Sequence, residues 1–195
     1  MTTVPFMDLH GIYQTQREEI RAAIDGVLED QTFILGPEVR AFEEELAAFI
    51  GAGVTAVGCA SGTDALLLSL LALDIGPGDE VIVPAYSFFA TASCVARVGA
   101  TAVWVDVESS TFNLDPAQVA RKTTSRTKAI IAVHLFGRCA SVDQLPQGPV
   151  LIEDAAQALG AEIDGYRACT VGDLGCLSFF PSKNLGGFGD GGMVV

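Results

Sequence analysis

The sequence predicts an α/β fold, a mostly parallel sheet with helices on both faces, and three observations carry that prediction. Short, nearly continuous apolar runs alternate with stretches of helical periodicity along the chain, which is the pattern of strands buried on both sides by crossover helices. Glycine and proline punctuate the changes of period, at Gly51 and Gly53, Gly76-Pro77-Gly78 and Gly99. No internal repeat, low-complexity stretch or linker divides the 195 residues, a length suited to one domain with a real core.

Taken in order, Ile12 to Leu28 places Ile20, Ile24, Val27 and Leu28 at helical spacing opposite Arg17, Glu18, Glu19 and Arg21, and reads as an amphipathic helix. Gln31 to Gly36 is a short apolar crossing. Pro37 then starts a helix over Glu38 to Ile50, with Val39, Phe42, Leu46 and Phe49 on one face and Glu43 to Glu45 in water. Val54 to Gly58 is a brief strand leading to Cys59-Ala-Ser-Gly-Thr-Asp-Ala, and Leu66 to Leu73 is apolar enough to be a buried helix. After the Gly76 to Asp79 turn, Glu80 to Val83 is a β-branched strand and Ala90 to Val98 a helix ended by Gly99. Thr101 to Val107 alternates as a strand, Pro116 to Lys122 is a polar helix, and Ala129 to Val133 and Val150 to Ile152 are buried strands. Met193 to Val195 begins a strand that is either a sheet edge or the mark of a fragment.

Composition narrows the function. With 50% hydrophobic and 18% charged residues the chain is globular. A formal net charge of −13 argues against nucleic acid and anionic membranes as partners, whereas small anions can still be held by backbone N–H groups and helix ends. Five cysteines without CxxC spacing, and no apolar leader, predict a reduced, cytoplasmic setting. Neither His10 nor His134 has a partner at zinc-ligand spacing, so no protein-bound metal is expected. No apolar run approaches the roughly 18 to 20 residues of a membrane span.

Four features stand at predicted strand ends, where ligands bind in open α/β sheets. Ser61, Gly62 and Thr63 open the buried helix, where free N–H groups and the helix dipole suit a phosphate, although a plain N-cap uses the same residues. Phe88 or Phe89 follows a strand and can lie flat on an aromatic ligand or pack in the core. Asp154 ends a buried strand, where a carboxylate needs a cationic or hydrogen-bonding partner. Lys183 is delivered by an apolar run into a glycine-rich loop, SFFPSKNLGGFGDGG. Pyridoxal 5'-phosphate needs all four: a phosphate site, a ring face, an acid to keep the pyridine nitrogen protonated, and an amine to condense with its aldehyde. A Rossmann dehydrogenase is disfavoured because no GxGxxG follows the first strand.

The runs FILGPEVRAFEEELAAFIG, ASGTDALLLSL, SFFATA, VDVESSTFNLDP, VHLFG, IEDAAQALGA and SFFPSKNLGGFGDGG resemble the DegT/DnrJ/EryC1/StrS family of pyridoxal-phosphate-dependent sugar aminotransferases, from about Phe6 to Val195. The resemblance implies the large domain of aspartate-aminotransferase fold type I, three layers α/β/α around a mostly parallel sheet, with residues 1–50 as N-terminal helices and 51–195 as the cofactor-binding unit. It implies Lys183 as Schiff-base lysine and proton carrier, Asp154 as partner of the ring nitrogen, Gln157 on the ring hydroxyl, Phe88 stacked on the ring, and Gly62, Thr63 and Ser178 on the phosphate. Asn184 resembles a substrate or partner-subunit contact, and His134 either lines the pocket or is structural. The implied reaction moves an amino group from an amino acid, usually glutamate, to a nucleotide-linked keto sugar, in a homodimer. Lysine at position 183 favours the transaminase over the family's dehydratases, which carry histidine there.

Two departures from the family pattern accompany the resemblance. The family's remaining large-domain strands and small C-terminal domain are expected to be missing, which keeps an inert cofactor-binding or dimerising fragment as the alternative reading. The stretch from Gly137 to Ile152 is short, with Pro146-Gln-Gly-Pro where a crossover helix commonly runs.

Overall fold

The computed structural model describes residue 4 and residues 7–195; residues 1–3, 5 and 6, where the resemblance begins, lie outside the described residues. Helix α1 spans Leu9–Asp30, capped by Asp8, whose side chain accepts from the Gly11 N–H at 2.8 Å. It is longer than the expected helix and buries no residue: Ile12, Ile24 and Leu28 remain exposed, Ile20 and Val27 are half-buried, and Tyr13 packs against Phe188 at 5.7 Å. The Phe33, Ile34 and Leu35 crossing is likewise exposed. Helix α2, Pro37–Ile50, starts on the proline and buries Leu46 and Ile50, and Phe42 packs edge-on to Phe179 at 5.0 Å. Glu43, expected in water, instead accepts the N–H of Gly58 at 2.7 Å and so ties α2 to the first strand.

Strand β1 is Val57–Cys59, later and shorter than the expected Val54 to Gly58. Helix α3 is Gly62–Ala72, β2 Glu80–Pro84, α4 Phe89–Arg97, β3 Thr101–Val105, α5 Pro116–Lys122, β4 Thr127–Val133 and β5 Val150–Asp154. Between β4 and β5 there are only two single-turn 3-10 segments, Leu135–Gly137 and Val142–Gln144, in place of a crossover helix. A small hairpin, β6 Glu162–Ile163 and β7 Tyr166–Arg167, precedes β8, Leu174–Ser178, and β9, Gly192–Val194.

Seven strands form one sheet in the order β1-β9-β8-β5-β4-β2-β3. The run from β8 to β3 is parallel, and β9 is antiparallel to both β1 and β8, so β9 alone runs against the rest. The unfinished strand of the sequence is therefore no edge: it lies between β1 and β8. One core cluster joins α3 and α4 to one face through Leu66, Leu70, Val81, Val83 and Ile131, and others join α2 and α5 through Leu46, Leu177 and Met193 and through Ile82, Val119 and Ile130. The result is a mixed α/β structure with a mostly parallel sheet, as the alternating pattern implied. Among the described residues no helix is long and apolar enough to cross a membrane.

This topology points the carboxyl ends of six strands the same way. The loop joining β8 to β9 carries Lys183, and its closing bonds lie in the backbone: Phe179 donates to the Gly191 carbonyl and its own carbonyl accepts from Gly187, both at 2.8 Å. The N–H of Lys183 donates to the Phe180 carbonyl at 2.8 Å. The lysine backbone is therefore set by a turn within a hairpin connection.

Candidate active site

A cleft of about 430 Å³ opens at these carboxyl ends, and Gly62, Thr63, Phe88, Asp154, Gln157, Ser178 and Lys183 all line it. Its size suits a small cofactor or substrate. Residues more than a hundred positions apart in sequence meet here because β1, β2, β5 and β8 each release their next segment at the same end of the sheet.

The floor is the first turn of α3. Ser61 is its N-cap, with Oγ accepting from the Asp64 N–H at 3.1 Å. The N–H groups of Gly62 and Thr63 lie in the first turn and have no helical carbonyl to reach, so they offer donors where the helix dipole is positive. Capping and anion binding are thus both served, by different residues. Gly62 also permits a close approach: a Cβ there would meet the Ser178 Cβ at 2.6 Å. Ser178 ends β8 directly against this turn, adding a hydroxyl to two backbone donors. That donor set, closed to a side chain at position 62, fits a phosphate group.

Asp154 is 6% exposed and ends β5. Its Oδ2 accepts from the Thr91 hydroxyl at 3.0 Å and its Oδ1 from the Ala156 N–H at 3.3 Å. Burial pushes its carboxyl above the ordinary carboxylate range; the Ala156 N–H, the Thr91 hydroxyl and the positive charge of Lys183 oppose that rise. A cation or protonated nitrogen in the cleft would satisfy it. Gln157 is orientated by its carbonyl, Oε1, which accepts from the Phe136 N–H at 3.1 Å, leaving its amide hydrogens to donate. Phe88 is the N-terminal flanking residue of α4 and is 66% exposed, so its ring is available as one wall of the cleft rather than core. A planar group bearing a phosphate, a basic ring nitrogen and an acceptor oxygen fits these donors and this acid.

Two residues fall outside the cleft. His134 is 1% exposed and does not line it: its Nε2 pairs with Glu153 at 2.7 Å and its Nδ1 accepts from the Ala140 N–H at 2.9 Å, which is the structural alternative for this residue. Asn184 is exposed and is not among the cleft-lining residues. Sequence reasoning passed over Ser87, Thr91, Ser182 and Asp190. Ser87, Ser182 and Asp190 line the cleft, and Thr91 touches Asp154. Thr91 had a legible signal, a hydroxyl inside an otherwise apolar helix start; Ser182 and Asp190 are ordinary loop residues with none.

The family model described as DegT/DnrJ/EryC1/StrS aminotransferase matches residues 14–195. A UDP-N-acetyl-3-dehydro-alpha-D-glucosamine 3-aminotransferase of Acidithiobacillus ferrooxidans is 51% identical over 199 aligned positions, covering 100% of this chain and 54% of its own length. The crystal structure of Streptomyces venezuelae DesV in complex with a ketimine intermediate superposes with a TM-score of 0.96 at 45% identity, over 100% of this chain and 54% of that one. Bacillus subtilis NtdA with bound cofactor PMP gives a TM-score of 0.91 at 34% identity, over 100% and 45%. The chain thus spans about half the length of these relatives. With the fold, the strand-end cleft and a match over most of its length in agreement, the chain belongs to the DegT/DnrJ/EryC1/StrS aminotransferase family.

Proposed function

We propose that this chain is the cofactor-binding part of a pyridoxal-phosphate-dependent aminotransferase that moves an amino group from an amino acid, glutamate in the first instance, to a nucleotide-linked keto sugar. The observation that supports it most is the convergence of Lys183, Asp154, Gln157, Phe88 and the Gly62, Thr63 and Ser178 donors on one cleft. Pyridoxal 5'-phosphate supplies, when bound, an aldehyde that condenses with amines and a protonated ring that accepts the electron pair left when a neighbouring C–H bond ionises.

The residues divide that task by chemistry. The Gly62 and Thr63 N–H groups and the Ser178 hydroxyl would hold the phosphate. Phe88 would cover one ring face, and the Gln157 amide would donate to the ring oxygen. Asp154 would keep the proton on the ring nitrogen, a pairing that also relieves its own burial. Lys183 would hold the aldehyde carbon through Nζ and, once released, carry a proton between substrate and cofactor carbons. We assign Asn184 to a substrate or partner-subunit contact, the assembly to a homodimer, residues 1–50 and 51–195 to the helical and cofactor-binding parts of one large domain, and the setting to the cytoplasm. The nucleotide sugar follows from likeness to the Acidithiobacillus enzyme.

An absorbance scan tests the reading. Added pyridoxal phosphate should develop the long-wavelength band of a lysine-linked cofactor, and glutamate should convert it to the pyridoxamine band. A chain that never develops the first band overturns the assignment of the cleft, and one that develops it but ignores every amino donor supports the inert-fragment alternative.

Asp154→Asn separates catalysis from stability. Turnover should fall about a hundredfold or more, the scale of removing one group that stabilises transition-state charge. The cofactor-free protein should move the other way. A carboxyl whose folded pKa is raised contributes stability at low pH that is lost as pH rises through that folded value. Near neutrality the uncharged amide removes this penalty, so the empty variant should melt above the parent; scanning calorimetry of both without cofactor checks it.

A further inference from the structure

Asp154 is approached by a chain of two hydroxyls that the reaction as described above does not use. Ser87 lies in the bend just ahead of α4 and Thr91 in its first turn, so the segment that enters the helix brings the two hydroxyls together. Thr91 is 1% exposed. Its Oγ1 lies 3.0 Å from Asp154 Oδ2 and 3.0 Å from Ser87 Oγ, while Ser87 lines the cleft itself. An ionised carboxylate only accepts, so Thr91 must spend its one hydrogen on Asp154. The hydrogen between the two hydroxyls must then come from Ser87. The direction Ser87 to Thr91 to Asp154 is therefore fixed for as long as Asp154 is charged, and each donation strengthens the next.

We propose that Thr91, backed by Ser87, is a positioning residue for Asp154: the two hydroxyls hold its carboxylate in the charged, ring-facing state that the cofactor's nitrogen requires. The proposal rests on the cofactor reading above. A valine of the same shape would pack as well at position 91, so burial alone does not account for a hydroxyl there. Other groups act on the same carboxylate. Lys183, from the β8–β9 connection, favours its charge, and His134, just after β4, spends both ring nitrogens on Glu153 and the Ala140 N–H. Cys94 of α4, Cys169 ahead of β8 and Cys176 of β8 face it as thiols, Glu153 is its neighbour in β5, and Asp190 shares the cleft. Among the side chains hydrogen-bonded to Asp154, Thr91 is the donor.

The test is pyridoxal phosphate affinity, read by absorbance titration across pH, in the full-length polypeptide. Affinity should fall on the acid side as Asp154 takes up a proton and its pairing with the ring nitrogen is lost. Thr91→Val should move that acid limb to higher pH by about one unit, a tenfold change in the ionisation constant. Thr91→Ser should restore it, and Ser87→Ala should move it in the same direction by less. At neutral pH, kcat should fall with little change in the KM for the amino donor. Superimposable limbs in parent and Thr91→Val overturn the relay and leave the cofactor assignment intact. Should Thr91→Val not fold, an unmoved limb in Ser87→Ala overturns it equally. A parent that forms no lysine-linked band sinks the cofactor assignment instead.

Discussion

Lys183→Ala, made in the full-length polypeptide, should reduce amino transfer to background and abolish the absorbance band of lysine-linked cofactor. Removing a positioned proton carrier alone costs about 10² to 10⁴ in rate, and here the same Nζ is also assigned the covalent attachment, so the two losses compound. The donors proposed for the phosphate, at Gly62, Thr63 and Ser178, stay in place under this change, and Asp154 loses only the opposing charge of Lys183. Cofactor should therefore still bind, more weakly, and remain in its free-aldehyde spectrum. Fold should be unaffected: the backbone of residue 183 is held by its N–H to the Phe180 carbonyl, which alanine keeps. A small primary amine added to the variant should recover part of the activity, because the chemistry needs an amine and a proton carrier in the cleft rather than the rest of the side chain. Undiminished turnover in the purified variant would remove Lys183 from the reaction and with it the central role of the β8–β9 connection.

The readable part of this molecule was the part governed by local rules. Proline at position 37, glycine after Ile50 and at 99, and continuous apolar runs at β2, β4 and β5 place those elements from sequence, because capping, turn geometry and double-sided burial act within a few residues. The cleft-lining residues at strand ends were legible for a related reason: a charge at the end of a buried run, as at Asp154, is costly unless something pays it back. What stayed hidden depends on partners far along the chain. Glu43 looks like a solvated helix residue until β1 brings the Gly58 N–H to it. The β9 strand looks like an edge because nothing near Met193 says that β1, more than 130 residues earlier, will pair with its other side. The Asp164-Gly165 turn of the β6–β7 hairpin, with φ of 49° and 87°, did carry a local signal that went unread.

Glu153 shows the same dependence at its most consequential, and its removal should cost the fold. It neighbours Asp154 but points to the other side of β5, as alternation requires. At 1% exposure its carboxylate accepts from His134 Nε2 at 2.7 Å, from the Cys169 N–H at 2.8 Å, from the Val171 N–H at 3.0 Å and from the Gly172 N–H. Through His134 Nδ1 the set extends to the Ala140 N–H. One side chain thus joins β5 to the end of β4 and to the loop that enters β8. Burial pushes the Glu153 carboxyl up, but the His134 hydrogen bond and the Gly172 N–H outweigh it and hold the carboxyl below its ordinary value. A depressed carboxyl contributes stability above its unfolded pKa of about 4.3 and loses it as pH falls through the folded value. Glu153→Ala leaves three backbone donors and a histidine buried without an acceptor, a loss of about 3 to 5 kcal/mol, which is a large share of the roughly 5 to 15 kcal/mol that holds a protein folded. Denaturant titration should show the midpoint collapse or no folded baseline at all. Glu153→Gln keeps one oxygen but turns an amide N–H₂ against donors, so it should lose less and should also flatten the acid side of the stability profile. Melting of Glu153→Ala within a degree or two of the parent would mean that the loop ahead of β8 is held by its own turns, and that the carboxylate next to Asp154 is a passenger in the core.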